Sequence, residues 1–261
     1  MSSLAWRHRA LVAELAKREF SGRYRGSFGG LAWSFAQPLF LLAVYTVAFG
    51  VILRMRWGFA GGTADYALML FAGLIVFNAF AECLNNAPAL VAGNPNYVKK
   101  IVFPLEVLPW VTALAAMVHA AIGIGVWFAG YFLLIGAPGP ASLLFPAVLL
   151  ALFPVLLGVG WLVSAIGVVV RDVGQFVGLV THALLFLTPI FYGIDAVPPL
   201  LQRVLVLNPL TFVVEQLRVV LFFGQVPSLR GLAVYFALAC AFAALSLALF
   251  RRMRPRFADL V

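Results

Sequence analysis

The chain has 261 residues, 64% of them hydrophobic and only 10% charged, against about 25% charged in an ordinary soluble domain. A soluble fold of this length cannot hide so much apolar surface, so a water-soluble domain is excluded and the bilayer becomes the solvent for most of the chain. The formal charge of +9 is carried mainly at the two chain ends, outside the apolar runs, which points to anionic lipid rather than nucleic acid.

The first thirty residues hold Arg7, Arg9, Lys17, Arg18, Arg23 and Arg25. They lack the short basic stretch followed at once by an apolar core that marks a cleaved leader, so this segment is expected to remain. Within 4–20, Leu4, Leu11, Val12 and Leu15 share one helical face while Arg7, Lys17 and Arg18 lie elsewhere. That pattern predicts an amphipathic helix in the membrane interface. A solvated basic tail is the plainer alternative.

A spanning helix needs about 20 mostly apolar residues, because the hydrocarbon core is about 30 Å thick. Irregular backbone is not tolerated against lipid, so helices are the default. Span 1 is expected over 31–53, which carries no charge and is stopped by Arg54 and Arg56. Span 2 covers 66–90 and is interrupted by Glu82. Residues 107–170 contain no Asp, Glu, Lys or Arg and are too long for one helix. The turn residues GAPGPAS divide them into spans 3 and 4, about 107–134 and 143–170. Arg171 and Asp172 end span 4, span 5 follows over 173–194, and span 6 over 231–250 is stopped by Arg251, Arg252, Arg254 and Arg256. The expected class is an all-α integral membrane protein, one transmembrane domain over 1–261 with six transmembrane helices.

Two connecting segments stand out. After span 2 the chain reads NPNYVKKIVFPLEVLP, Asn94 to Pro109. Asn94-Pro95 stops one helix, and Pro104 and Pro109 restart the chain. Between them Tyr97 to Phe103 forms a short amphipathic piece with Lys99 and Lys100. It is either a short helix that an external motor can push or a loop anchored at the lipid surface. The region 195–230 is cut by Pro198-Pro199, Asn208-Pro209 and Pro227 into pieces too short to cross alone. Arg203, Glu215 and Arg218 are costly in lipid there. A helix–turn–helix that dips into the outer leaflet or lies on the outer surface is expected, as short re-entrant gate helices between spans 5 and 6.

Six spans put both termini on one side. Six Lys/Arg precede span 1 and four follow span 6, which places both termini in the cytoplasm. Lys99, Lys100 and Arg171 then fall in cytoplasmic loops, whereas Arg54, Arg56, Arg203, Arg218 and Arg230 fall in outer loops.

No G-x-x-x-x-G-K-[ST] phosphate loop, H-E-x-x-H or G-x-S-x-G occurs. ATP-driven work therefore needs a separate ATPase chain. Cys83 and Cys240 both lie in apolar segments and show no metal spacing. Glu82 in span 2, His119 in span 3 and His182 in span 5 are intramembrane polar groups, each read as a packing residue before a proton relay or ligand. Aromatics make up 14% of the chain. Many are lipid-facing or interfacial, yet flat apolar rings also suit the C–H faces of sugars.

The sequence resembles the type-2 ABC permeases that export polysaccharides, the O-antigen, capsule and teichoic-acid exporter permeases. The resemblance rests on KREFSGRYRGSFGGLAWSFAQP (Lys17 to Pro38), on the loop Asn94 to Pro109, and on Arg171-Asp172. It rests also on Thr188-Pro189-Ile190-Phe191-Tyr192 and Asn208-Pro209-Leu210. Phe28-Gly29-Gly30 departs from the family's usual Leu-Gly. The resemblance implies a homodimer in the bacterial inner membrane whose two copies form a channel, with two copies of a separate ABC ATPase docked beneath. It implies no cofactor in this chain, ATP and Mg being bound by the partner. The cargo it implies is an O-antigen-like polysaccharide carried on a polyprenyl diphosphate lipid. Asn94, Tyr97, Lys99, Lys100 and Phe103 would form the coupling segment, and Arg7, Lys17, Arg18, Arg23 and Arg25 the interface-helix cations. Tyr45 and Phe49 in span 1, and Phe186, Phe191 and Tyr192 in span 5, are the expected channel residues. The alternatives are a type-2 ABC permease for a small lipid or drug, and a membrane enzyme acting on lipid-linked sugars. The enzyme would need paired carboxylates, for which Glu82 and Glu106 are the inner candidates and Asp65, Asp195 and Glu215 the outer ones.

Overall fold

The computed structural model describes residues 8–24, 28–52, 62–95, 103–170 and 172–257. All regular structure among them is helical. The helices are α1 (Arg9–Tyr24), α2 (Trp33–Tyr45), α3 (Thr63–Asn86), α4 (Ala89–Ala92), α5 (Leu108–Leu134) and α6 (Phe145–Val169). They continue as α7 (Val173–Leu187), α8 (Pro199–Leu207), α9 (Pro209–Leu221) and α10 (Leu229–Met253).

Among the described residues four helices are long and apolar enough to cross a bilayer: α3, α5, α6 and α10, the last three with their flanking turns. The pair α8 and α9 passes the same test jointly but bends by 96° at its break. Expected spans 2, 3, 4 and 6 each coincide with one of these helices, with ends shifted by a few residues. Span 2 stops at Asn86 rather than 90, with Pro88 following the helix, since proline has no N–H to continue the ladder.

Span 5 comes out shorter than expected, and span 1 is helical over 30–52 but changes helix type along its length. α7 has 15 residues, about 22 Å at 1.5 Å per residue, and does not reach 194. Thr188 adopts an extended backbone with ψ 136°, because the residue before Pro189 is pushed out of the helical region. α2 has 13 residues and runs into a 7-residue π segment, Thr46–Ile52. There the Thr46 hydroxyl donates to the Leu42 carbonyl at 2.7 Å, a back-bond that loosens a helix. Long π segments are rare and gather at functional sites.

α3 is the axis of the bundle, with α2, α5, α6, α7 and α9 packed around it. Every residue from Tyr66 to Phe77 is buried. Without a hydrophobic drive between helices in lipid, small residues that allow close approach do the joining. A Cβ on Gly167 of α6 would lie 2.7 Å from the Pro88 carbonyl oxygen, and one on Gly160 would lie 2.8 Å from Pro109. Two buried indoles tie the layers together. Trp127 Nε1 donates to the Leu68 carbonyl and Trp161 Nε1 to that of Glu106, both at 3.0 Å. α5 ends at Gly136, whose φ of 134° lets its N–H reach back to the Tyr131 carbonyl at 3.0 Å.

The bundle has two ends. The proximal end carries α1 and residues 254–257; the distal end carries the starts of α3 and α6 and the α7–α8 connection. α1 packs on α5 through Val12 against Val107 and Val111, with Leu15 and Ala16 alongside. Lys17 and Arg18 are exposed. Leu4, Arg7 and Arg25, and the side chain of Arg23, lie outside the described residues.

Candidate functional site: an aromatic path and its gate

The expected channel residues come together at the distal end. Tyr45 and Phe49 have ring centroids 6.1 Å apart. Phe49 continues to Phe191 at 5.6 Å, and Phe191 stacks on Phe186 at 5.7 Å with 25° between the planes. The Tyr192 hydroxyl donates to the Phe186 carbonyl at 2.8 Å, fixing the turn after α7. The result is a ladder of rings from α2 to α7. Phe186 is its exposed rung, while Tyr45, Phe49 and Phe191 are half-buried.

The sequence reading missed Tyr66. It sits under the ladder, 6.0 Å from Phe49, and its hydroxyl donates to the Phe191 carbonyl at 2.8 Å. It stands beside Asp65 at the first position of the expected span 2, and nothing in the sequence marked it as a neighbour of the rings.

The segment Thr188–Tyr192 is the candidate gate, and one guanidinium holds it. Arg218 on α9 is 1% exposed. Its Nη1 donates to the Pro189 carbonyl at 2.6 Å, its Nη2 to Ile190 at 2.7 Å and its Nε to Met69 on α3 at 3.2 Å. Nη1 also pairs with Glu215 at 3.1 Å. This corrects the expectation that Arg218 is an outer-loop cation. The five-donor fork is buried because the Pro189 and Ile190 carbonyls, left outside any helix by the break, need donors, while Met69 of α3 accepts the third bond. Gly73 makes room for it, since a Cβ there would come within 3.2 Å of Nη2.

Asn208 fixes the other side. Its Nδ2 donates to Thr188 Oγ1 at 2.9 Å, and its Oδ1 caps α9 by accepting from the Leu210 N–H at 3.0 Å. The motif Asn-Pro-Leu thus makes the corner of the expected helix–turn–helix.

At the proximal end the segment 96–102, with Tyr97, Lys99 and Lys100, lies outside the described residues. Its two shoulders are described. Asn94 Nδ2 donates to the Leu90 carbonyl at 3.0 Å, closing α4. On the far side the Phe103 carbonyl accepts from Arg254 at 3.3 Å. Arg254 also reaches the buried Glu106 carboxylate at 3.0 Å, with Arg251 3.8 Å away. Glu106 therefore fastens the exit of the loop to the end of α10, a role its place among enzyme candidates concealed. Glu82 is likewise engaged, its carboxylate 2.9 Å from His119 Nδ1. His182 is exposed on α7 and bonds its own helix's Gly178 carbonyl at 2.7 Å. Among the described residues no group of His, Cys, Asp and Glu is arranged to hold a metal.

A bundle of apolar helices with a bent helix pair, an arginine-held break and a strapped intervening loop is the architecture of a multi-pass membrane transport subunit. The family model of the ABC-2 type transporter matches residues 10–222, and the chain belongs to that family. The resemblance read from the motifs is borne out. Among curated proteins the chain is 24% identical to the O-antigen export system permease protein RfbA of Myxococcus xanthus, over 97% of this chain and 96% of that protein. It is 26% and 24% identical to two Klebsiella pneumoniae proteins of the same name, each over 96% of this chain and 95% of the relative.

Proposed function

We propose that this chain is the membrane subunit of an ATP-driven exporter that moves a lipid-linked, O-antigen-like polysaccharide out of the cytoplasm across the bacterial inner membrane. The observation that carries it is the ring ladder Tyr45–Phe49–Phe191–Phe186 against the arginine-held gate. Aromatic faces bind sugar C–H faces without fixing any one hydroxyl, so a polymer can slide. A conducting site must admit its cargo and still release it. The names of the three relatives support the same cargo class.

Two copies of the chain enclose the path. Phe176, Leu179 and Phe186 form an exposed apolar stripe on α7 that continues into the ladder, and a second copy facing it closes a channel. Six membrane segments follow if α2 with its π segment and the short α7 cross together with their flanking turns. The proximal end faces the cytoplasm, α1 lies in the interface, and its cations meet anionic lipid. ATP and Mg are bound by two copies of a separate ATPase that dock at Asn94–Phe103.

The test is Tyr45→Ala with Phe186→Ala in cells carrying the ATPase partner. Export of long polymer should slow several-fold while the amounts of permease and docked ATPase stay normal. Normal export with normal abundance overturns the path; loss of abundance makes the rings packing residues.

A further inference from the structure

A second site lies in the proximal half of the bundle, away from the ladder. A cavity of about 290 Å³ opens between α2, α3 and α5. Its polar wall is Ser34 and Gln37 of α2, Asn78 and Glu82 of α3, and His119 of α5; its apolar wall includes Leu41, Phe71 and Ile75. Asn78 is the one exposed residue between Tyr66 and Leu84 of an otherwise buried helix. Neither its amide nor that of Gln37 has a hydrogen-bond partner among the described residues, although both line the cavity. An intramembrane amide left without a protein partner is costly unless something else satisfies it.

The chemistry of the wall narrows the ligand. Two carboxamides each donate and accept. The Glu82–His119 pair, at 2.9 Å, adds a carboxylate and an imidazole. Among the described lining residues there is no lysine or arginine, and a carboxylate stands in the wall, a set that favours an uncharged ligand. Phe71 and Ile75 lie on the same face of α3 as Asn78, one to two turns nearer the distal end, and with Leu41 they make that end of the cavity apolar. A cavity with mixed donors and acceptors at one end and a ring with aliphatic groups at the other suits a pyranose, which carries both hydroxyls and an apolar C–H face. The volume lies at the small end of ligand pockets, about 300–1,000 Å³, and suits one ring rather than several. Water alone would fill it with about ten molecules at about 30 Å³ each.

We propose that this cavity binds a single uncharged sugar unit of the transported glycan, through Asn78 and Gln37, before the glycan reaches the aromatic ladder. The proposal rests on the export reading above. Asn78 lies eight residues before the end of α3 at Asn86, about 12 Å along the helix, which places the cavity on the entry side. Phe20 of α1 packs on His119 at 5.1 Å, so the interface helix closes one side of the site.

The test replaces Leu41, a half-buried lining residue, with the photoreactive amino acid benzoylphenylalanine. Phe186 on the ladder and Leu150, exposed on α6, are replaced in the same way in parallel. Cells carrying the complete exporter and glycan labelled with a radioactive sugar are irradiated. Labelled glycan should attach at positions 41 and 186 and not at 150. Adding Asn78→Leu or Gln37→Leu should lower attachment at 41 about five-fold, the effect of one lost hydrogen bond, and leave 186 unchanged. Gln37 is exposed, so its variant separates loss of binding from loss of folding. Competition at 41 by free monosaccharide in isolated membranes would show that the ring alone is recognised; no competition would show that the attached chain is needed, and either supports the site. Attachment at 186 but not at 41, phospholipid alone at 41, or indifference to both variants overturns the cavity and leaves export standing. Absence of glycan at 186, with surface polymer unchanged on deleting the chain, overturns the export reading itself.

Discussion

Arg218→Lys separates a gate held by a fork from one held by a charge. The guanidinium spans three carbonyls on two elements, Met69 on α3 and Pro189 and Ile190 in the gate. A lysine ammonium keeps the charge but presents its donors from one point on a longer stem. It can serve Glu215 and one or two carbonyls, and leaves at least one buried carbonyl without a donor. A hydrogen bond to a charged group contributes about 1.5–3 kcal/mol, so a loss of about 2 kcal/mol is expected. At about 2–4 °C per kcal/mol for a chain of this size, the melting temperature in detergent should fall by about 4–8 °C. Arg218→Ala should fall further, because all three carbonyls lose their donor and a void opens. The measurement is thermal unfolding of the purified permease followed by tryptophan fluorescence. A lysine variant melting within about 1 °C of the parent, on that same scale, would refute the fork. It would mean that charge alone holds the break at Pro189.

The other substitutions probe the proximal end. Arg254→Ala should destabilise more than Glu106→Gln, since the first leaves a buried carboxylate with only the longer Arg251 contact at 3.8 Å, whereas the second leaves a cation that is 38% exposed and can hydrate. The gap should be about 1–2 kcal/mol, and equal melting temperatures would remove Glu106 as the anchor of the loop. Gly167→Ala forces a Cβ to within 2.7 Å of the Pro88 carbonyl oxygen and 2.8 Å of its Cα. Backbone cannot rotate away as a side chain can, so a cost of about 1–3 kcal/mol is expected. Gly178→Ala on α7 meets nothing within 4 Å and should be neutral or stabilising by up to about 1 kcal/mol. Two alanines of equal effect would overturn the close α6–α4 contact.

Much of the fold was legible because lipid removes choices. Apolar runs ended by arginines or prolines, charge-free in all but α3 with its Glu82, marked α3, α5, α6 and α10 to within a few residues. The run 173–194 misled because hydropathy does not register Pro189, which ends α7 seven residues early. The residues of the ladder were legible as aromatics but not as neighbours. Phe186 and Phe191 stack only because the chain turns at Thr188, and Tyr66 joins them from a helix more than a hundred residues away. Arg218 was read by its charge, which belongs to a loop, when its use is as a donor to carbonyls that a proline break exposes. Sequence names the groups that need partners; which partner meets them depends on where helices break.

The shoulders of the loop 94–103 are fastened with unequal stiffness, and this constrains how a push there can reach the gate. On the entry side Asn94 closes α4, and Pro88 just before it meets Gly167 of α6 through backbone atoms. Such a contact transmits displacement with little give, because close-packed backbone has no rotamer to yield. On the exit side Phe103 and Glu106 are held by Arg254, whose side chain is partly in solvent, where an ion pair is weak and easily rearranged. Among the described residues no hydrogen bond ties the segment 188–192 to Arg254 or α10. It hangs from α3 through Met69 and Tyr66, while α7, which leads into it, is fastened to α3 by the Thr181 hydroxyl donating to Asn85 at 2.9 Å. Under the docking proposed above, a push at the exit shoulder meets the yielding Arg254 pair, whereas one at the entry shoulder meets the backbone contact of Pro88 with Gly167 and bears on α6 directly. Met69 and Tyr66 of α3, packed on α6, would then shift against an Arg218 anchored on α9.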